Sequence, residues 1–164
     1  MRKWFFKILV WSTLSVGLVV GPATSASAGQ DELAQVRAST AAFHDLAAAE
    51  HAGYARLLPC FDLPGVGGMG QHYVKTTLLT GTAEASRPQA LVYEVNGDRL
   101  QLVAVEYIIP LSMWDSATPP TLFGRSFTRN NTLRLWALHA WIWRPNPLGI
   151  FANYNPSVKL CPGH

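Results

Sequence analysis

Two histidines and one glutamate occupy positions where the surrounding pattern predicts apolar side chains. His139 lies in the middle of Leu133–Trp143, the most hydrophobic stretch after the N-terminal region, and His72 directly follows a run of glycines. Glu106 belongs to an apolar row of a predicted strand. A buried imidazole or carboxylate needs a partner, because burying an unpaired polar group costs roughly 1–3 kcal/mol. We therefore predict that these three side chains converge in one partly buried site.

We expect such a site to bind a metal ion or a small ligand, and metal binding is the chemistry that its residue types favour. Two imidazoles and a carboxylate suit zinc, iron or copper at a site with an open coordination position. If the protein is an enzyme, metal-assisted chemistry is the first class to consider, with Glu106 as a ligand or as a general base. No GxSxG elbow, HExxH motif or P-loop lysine occurs in the sequence, so it predicts neither a reaction nor a substrate.

A second hypothesis assigns the same residues a structural role. His139 and Glu106 would then form a hydrogen bond in the core, and the site would contain no metal. In that case we expect a non-catalytic binding or interaction protein whose aromatic surface contacts a partner.

The other histidines are weaker candidates. His44 and His51 are seven residues apart, so on a continuous helix they would share a face but lie about 10 Å apart along the axis. That separation is too large for both to bind one ion. His164 is the last residue of the sequence, and we expect it to be disordered.

The N-terminal region has the three parts of a secretory signal. Met1–Lys7 is basic, Ile8–Val20 is apolar, and Ala26–Ala28 provides small residues at a cleavage site. We predict a signal peptide over 1–28 and a single secreted or periplasmic domain over 29–164. Cleavage removes three of the 13 basic residues and leaves ten, against ten acidic ones. Without a basic stripe, neither nucleic acid nor the membrane surface is an expected partner of the mature chain.

Export also bears on the only two cysteines, Cys60 and Cys161. An oxidising compartment favours a disulfide between them. The bond would close a loop of roughly 100 residues and stabilise the fold by about 4–5 kcal/mol in the chain-entropy treatment. Neither a CxxC spacing nor a neighbouring cation supports the alternative of a reactive thiolate.

The elements that must position these residues begin with a helical segment. Apolar residues recur at intervals of three and four over 31–58, with Asp31 as the N-cap and a break near Gly53. A flexible glycine loop follows over 62–70. It contains GxGxxG, but we predict no strand before it and no helix after it, so we do not interpret it as a dinucleotide site.

A β-hairpin is predicted around Asn96-Gly97, which is a two-residue turn signal. The predicted register pairs Glu94 with Arg99, Tyr93 with Leu100 and Leu91 with Leu102. It places Glu106 on the same strand face as Leu102 and Ile108. We further predict an extended piece over 121–127, a strand over 133–143, and a proline-rich C-terminal segment that wraps across the surface to Cys161.

Several of these segments resemble a family of small exported bacterial proteins. The resemblance rests on Gly67-Gly68-Met69-Gly70-Gln71-His72-Tyr73, on Val105-Glu106-Tyr107-Ile108-Ile109-Pro110, and on Leu138-His139-Ala140-Trp141-Ile142-Trp143-Arg144 with Pro145-Asn146-Pro147. We know of no established activity for that family, so the resemblance implies no reaction. From the pattern of elements we predict an α+β fold, in which an N-terminal helical segment packs on a curved antiparallel sheet or small β-barrel.

Overall fold

The computed structural model describes residues 25–163, with side chains from residue 29 onward. Most of the predicted signal peptide, and His164, lie outside the described residues. Within the described part of the chain, no helix is both long enough and apolar enough to cross a membrane.

The N-terminal segment is helical, but it begins before residue 31 and ends earlier than predicted. It consists of α1 (Ser25–Thr40), a 3-10 helix (Ala41–His44) and α2 (Leu46–His51). Asp31 lies inside α1 and is not its cap; the capping residue is Asp45, whose carboxylate accepts a hydrogen bond from the Ala47 amide at 3.0 Å.

The break near Gly53 is confirmed, but the chain after it is extended, not helical. Gly53 has φ +93°, the left-handed conformation that commonly ends helices. Residues 55–58, predicted as helix, belong to β1 (Ala55–Leu63), which contains Pro59. A proline is tolerated there because β1 is an edge strand.

Six strands form one strongly curled antiparallel sheet on which the helical segment packs, which confirms the α+β prediction. After β1 the strands are β2 (Gly67–Val74), β3 (Ala90–Asn96), β4 (Arg99–Pro110), β7 (Thr128–Asn130) and β8 (Leu135–Ala140). Their order in the sheet is β1-β2-β3-β4-β8-β7. The extended piece predicted over 121–127 is a small separate hairpin of β5 (Thr121–Leu122) and β6 (Arg125–Ser126).

The two faces of the sheet belong to different apolar clusters. One face packs against the helices and forms the main core, which includes Leu33, Val36, Tyr73, Leu91, Tyr93, Val105, Tyr107 and Leu138. The opposite face carries smaller clusters built on Val74, Ala90, Val92, Ala104 and Ile108. Because side chains alternate along a strand, neighbours in sequence fall into different clusters.

The turn of the β3–β4 hairpin begins one residue later than predicted. Asn96 pairs with Arg99, so the two-residue turn starts at Gly97 instead of Asn96. Gly97 has φ +61°, which a residue without a Cβ adopts without strain. The predicted pairing of Glu94 with Arg99 is therefore wrong, and Glu94 lies opposite Gln101.

A β-bulge also changes the register along β4. Leu102 pairs with β3, and so does Ala104, but Val103 between them has no partner in the ladder. The predicted pair Tyr93–Leu100 is wrong because of the shifted turn alone, and the pair Leu91–Leu102 is wrong because of the turn and the bulge together. The extra residue reverses the alternation of side chains. Leu102 consequently faces the helices, whereas Glu106 shares its face with Ile108, as predicted.

The predicted glycine loop is mostly strand. Only residues 64–66 form a turn, and Gly67, Gly68 and Gly70 belong to β2. A Cβ on Gly68 would overlap the carbonyl of Lys159, so this glycine lets the C-terminal segment lie directly against β2. Contrary to the prediction, a strand (β1) precedes the GxGxxG sequence, but the sequence continues into a second strand (β2) and not into a helix. The GxGxxG sequence therefore lacks the helix N-terminus of a dinucleotide site.

Candidate metal centre

His72, Glu106 and His139 lie on three strands of one sheet face, the face opposite the helices. Glu106 on β4 pairs directly with His139 on β8. His72 lies on β2 and is separated from β4 by β3, where the side chains at this position are those of Ala90 and Val92. These side chains are small enough for an imidazole and a carboxylate to meet above β3.

The three side chains converge, as predicted. One carboxylate oxygen of Glu106, Oε2, lies 3.4 Å from His72 Nε2, and the other, Oε1, lies 3.5 Å from His139 Nε2. The centroids of the two imidazole rings are 5.9 Å apart. One ligand atom from each residue can be chosen such that all three lie within 4.8 Å of one another. Glu106 thus stands between the two histidines.

These separations fit coordination of an ion better than direct hydrogen bonding. Hydrogen bonds to oxygen normally have lengths of about 2.7–3.2 Å. Two ligands of a tetrahedral ion, each at about 2.0–2.2 Å from it, stand about 3.3–3.6 Å apart. The ligand atoms as a set lie within 4.8 Å of one another, so the widest pair would have to approach by about 1 Å or more to form a tetrahedral site.

Burial determines the protonation of all three groups. His72, Glu106 and His139 are 1%, 6% and 2% exposed. Loss of solvent raises the pKa of Glu106 to about 8 and lowers the pKa of His72 to about 4 and that of His139 to about 3. A smaller effect of the neighbouring His72 also lowers the pKa of His139. Near neutral pH and without a cation, the carboxyl group is mainly protonated and both imidazoles are neutral.

Three imidazole nitrogens have no hydrogen-bond partner among the described residues: Nδ1 of His72, and Nδ1 and Nε2 of His139. The backbone of Gly70 lies close to the His72 imidazole and partly opposes the effect of burial on the pKa of His72. The Gly70 backbone nevertheless makes no hydrogen bond with Nδ1 of His72. Each buried unpaired nitrogen is unfavourable by about 1–3 kcal/mol, so the cluster is incomplete without another polar species.

Aromatic rings flank the two imidazoles. The Phe61 ring is 5.6 Å from the His72 ring in an edge-to-face arrangement, and the Trp141 ring stacks on His139 at 6.3 Å. The Trp141 indole N–H donates to the carbonyl of Ala152 at 2.6 Å, which fixes that ring. These contacts restrict the rotation of both imidazoles and keep the surroundings apolar.

The predicted disulfide is present beside this site. Cys60 is bonded to Cys161, with 5.8 Å between their Cα atoms, and the next residue of β1 is Phe61, which contacts His72. Val158, in the same C-terminal segment, packs on the site face against Val92. The disulfide therefore holds in place two of the segments that cover the face on which the site lies.

The remaining candidate residues lie elsewhere. His44 lies in the 3-10 helix, and the centroid of its ring is 4.5 Å from that of Trp143. His51 is the last residue of α2. The two histidines therefore do not share one continuous helix, and that assumption is wrong. Glu94 is buried and accepts hydrogen bonds from the Arg144 guanidinium at 2.7 Å and from the Lys159 amide at 2.8 Å. Its ionic partner is therefore Arg144, not Arg99.

Sequence reasoning did not single out Phe61 or Trp141 as neighbours of the site. The position of Trp141 two residues after His139 was a usable signal, because residues i and i+2 share a strand face. Phe61 carries no such signal, because it lies between the helix predicted up to residue 58 and the glycine loop predicted from residue 62, where no strand is predicted. Comparisons with models of protein families, with curated proteins and with solved structures find no match, so any function must be argued from the site itself.

Proposed function

We propose that this protein is an exported single-domain protein that binds one divalent transition metal ion through His72, Glu106 and His139. The observation that supports this most directly is the spacing of the ligand atoms. Each carboxylate oxygen is separated from an imidazole nitrogen by the distance expected between neighbouring ligands of one ion. A His₂-carboxylate set is typical of zinc and of non-haem iron, and imidazole also suits copper.

The unpaired nitrogens support the same proposal. In the structural hypothesis, a protonated Glu106 would donate to one imidazole and accept from the other. That arrangement requires distances of about 2.6–3.2 Å, shorter than the separations observed, and Nε2 of His139 has no hydrogen-bond partner among the described residues. A bound cation would use the free Nε2 of His139 and would stabilise the ionised form of the carboxylate.

Three protein ligands leave one coordination position for water or a small ligand. The side chains around the site are apolar, and its three polar residues are almost fully buried. A macromolecular substrate is therefore a poor fit, and a water molecule or a small ligand is the occupant we propose for the open position. If the ion is catalytic, it would lower the pKa of a bound water and supply a nucleophile.

Export is part of the proposal. It rests on the basic, apolar and small-residue pattern at the N-terminus and agrees with the Cys60–Cys161 disulfide. An exported protein obtains its metal from the periplasm or the medium, so the metal content of protein purified from the native exported fraction is the informative quantity.

The test combines elemental analysis of that protein with titration of the chelator-treated protein by Zn²⁺. We expect one zinc ion per chain in the wild type and a loss of at least about 100-fold in affinity in His139→Asn, because a ligand of the ion is removed. His44→Asn is the matched control, since it removes an imidazole outside the site. Near-ultraviolet circular dichroism checks that both variants fold.

Replacing Zn²⁺ by Co²⁺ gives a second readout, because the visible absorption of cobalt reports its ligands and geometry. That spectrum should change in His72→Asn as well as in His139→Asn. Zinc binding that persists in His139→Asn but is lost in His44→Asn, or a folded wild type that binds none of Zn²⁺, Fe²⁺ and Cu²⁺, would refute the proposal.

A further inference from the structure

A groove of about 430 Å³ lies where the helical segment meets the start of β1 and the end of β2. Its lining includes Phe43, Ala52, Tyr54, Lys75, Leu78 and Arg87, together with three hydroxyl-bearing side chains. A smaller cavity of about 170 Å³ adjoins it and shares Thr77, Leu78 and Arg87. None of these residues belongs to the proposed metal site. The size is within the range of small-molecule sites.

The charge of the groove lining is positive. Among the described residues that line the groove, only Lys75 and Arg87 are charged, and none carries a carboxylate. Arg87 has a partner in Glu84 at 3.5 Å, but both side chains are more than half exposed, so this pair is weak. The ammonium group of Lys75 makes no ion pair or hydrogen bond within residues 29–163.

Lys75 is held in position without an anionic partner. It is partly buried, its aliphatic stem lies against Gly53, and its ammonium is 5.9 Å from the centre of the Tyr54 ring. That contact is a weak cation–π interaction. A partly desolvated cation that faces a groove and has no counter-charge is a suitable contact for an anionic ligand.

The floor of the groove is apolar and fixed. The Tyr54 and Phe43 rings are in contact at 5.3 Å, and Tyr54 is buried. The Tyr54 hydroxyl donates to the carbonyl of Pro88 at 2.8 Å, which orients the ring. Burial raises the pKa of Tyr54 to about 12, with a smaller opposite effect from Arg87, so this phenol is neutral under ordinary conditions.

We infer that this groove is a second binding site, for a small organic carboxylate with an apolar body. The carboxylate would lie between Lys75 and Arg87, and the apolar body would lie on the Tyr54 and Phe43 rings beside Leu78. Because Glu84 offsets part of the charge of Arg87, the groove matches a monoanion better than a phosphate dianion. This inference is independent of the proposed metal site.

The test uses 4-fluorobenzoate and its neutral analogue 4-fluorobenzamide, observed by fluorine NMR with the folded mature protein. We expect saturable binding of the benzoate, little binding of the benzamide, and weaker benzoate binding at higher salt. Lys75→Gln and Arg87→Gln should each weaken benzoate binding about ten-fold or more. Lys75→Arg should retain it, because the positive charge remains.

Arg99→Gln is the matched control, since Arg99 is exposed at the β3–β4 turn, outside the groove. The backbone amide signal of Gly53 should shift on benzoate binding, which locates the ligand beside Lys75. Equal binding of benzoate and benzamide would overturn the inference. So would unchanged benzoate affinity in both glutamine variants, or no binding by the wild type up to about 10 mM.

Discussion

Replacing Glu106 by glutamine should stabilise the metal-free protein while abolishing metal binding. Burial raises the pKa of this carboxyl group from 4.5 to about 8. Between these pH values the unfolded chain loses its proton and the native protein retains it, so native stability falls as the pH rises. Glutamine has nearly the same shape and does not ionise, so the Glu106→Gln variant should not show this loss.

The size of the effect follows from the pKa shift. One pKa unit corresponds to about 1.4 kcal/mol, so the full shift is worth about 5 kcal/mol at pH 8 and above. At pH 7 the difference should be about 3 kcal/mol, and near pH 4.5 it should be small. These values are of the same order as the total stability of a small domain, about 5–15 kcal/mol, so the effect is measurable.

The assay is urea unfolding of both proteins with a chelator present, at about pH 5, 7 and 8.5. The urea concentration at the unfolding midpoint of the variant should exceed that of the wild type by an amount that grows as the pH rises. When Zn²⁺ replaces the chelator, the wild type should gain stability through binding to the native state, and the variant should gain little.

Glu94→Gln provides a matched control of opposite sign. Glu94 is equally buried, but its carboxylate accepts hydrogen bonds from the Arg144 guanidinium and the Lys159 amide. Neutralising it should destabilise the protein at neutral pH, by about 1–3 kcal/mol. If Glu106→Gln instead destabilises the metal-free protein at pH 7, Glu106 is ionised and paired with an imidazolium. Our reasoning on the protonation of Glu106 would then be wrong.

Three further predictions concern the wild type, the disulfide and one glycine. Burial also lowers the pKa of both site histidines, so the unfolded chain takes up protons below pH 6.5 that the native protein does not, and stability falls there. Above pH 6.5 the raised pKa of Glu106 makes the stability of the metal-free protein fall, so this stability should peak near pH 6.5 in a series of urea unfolding experiments. Binding of Zn²⁺ should remove the fall above pH 6.5. The Cys60→Ser/Cys161→Ser variant should lose about 4–5 kcal/mol in urea unfolding, while non-reducing mass analysis of the wild type should find no free thiol; alkylation of two native cysteines would contradict this. Gly70→Ala should lower the thermal midpoint of unfolding more than Gly149→Ala does. Both glycines have positive φ, but only at Gly70 would a Cβ lie 2.6 Å from the Tyr93 carbonyl. Equal losses in the two variants would show that backbone strain alone is responsible.

The sequence predicted the site better than it predicted the hairpin that carries it. Glu106 and His139 were identifiable because each interrupts a run of apolar residues, and such an interruption depends only on local composition. The register of β3 and β4 depends on one bulged residue, Val103, and on a turn that starts at Gly97. Neither changes the apolar pattern of the strands, so the pattern could not reveal them.

The first strand was missed for a related reason. Residues 31–54 have helical periodicity, and Tyr54 continues it, so the prediction extended the helix as far as residue 58. Gly53 in the left-handed conformation ends that periodicity, and β1 is then formed by pairing with β2. Pairing between strands is a tertiary interaction that overrides local preference. The groove around Lys75 could not be predicted because its lining comes from separate segments, within residues 39–54 and 75–87, that only the tertiary fold brings together.

The three polar residues of the proposed metal site lie on an otherwise apolar face of the sheet, and their presence there needs an explanation. A buried polar cluster replaced by apolar side chains of similar volume often leaves a protein equally stable or more stable. Around His72, Glu106 and His139 the sheet face is already apolar, and three imidazole nitrogens there have no partner among the described residues. Stability alone therefore does not explain these residues, because leucine or valine would fit the same pattern at lower free energy. The cation that we propose would explain them, since it would pair the nitrogen that faces Glu106 and would favour the ionised form of that carboxylate.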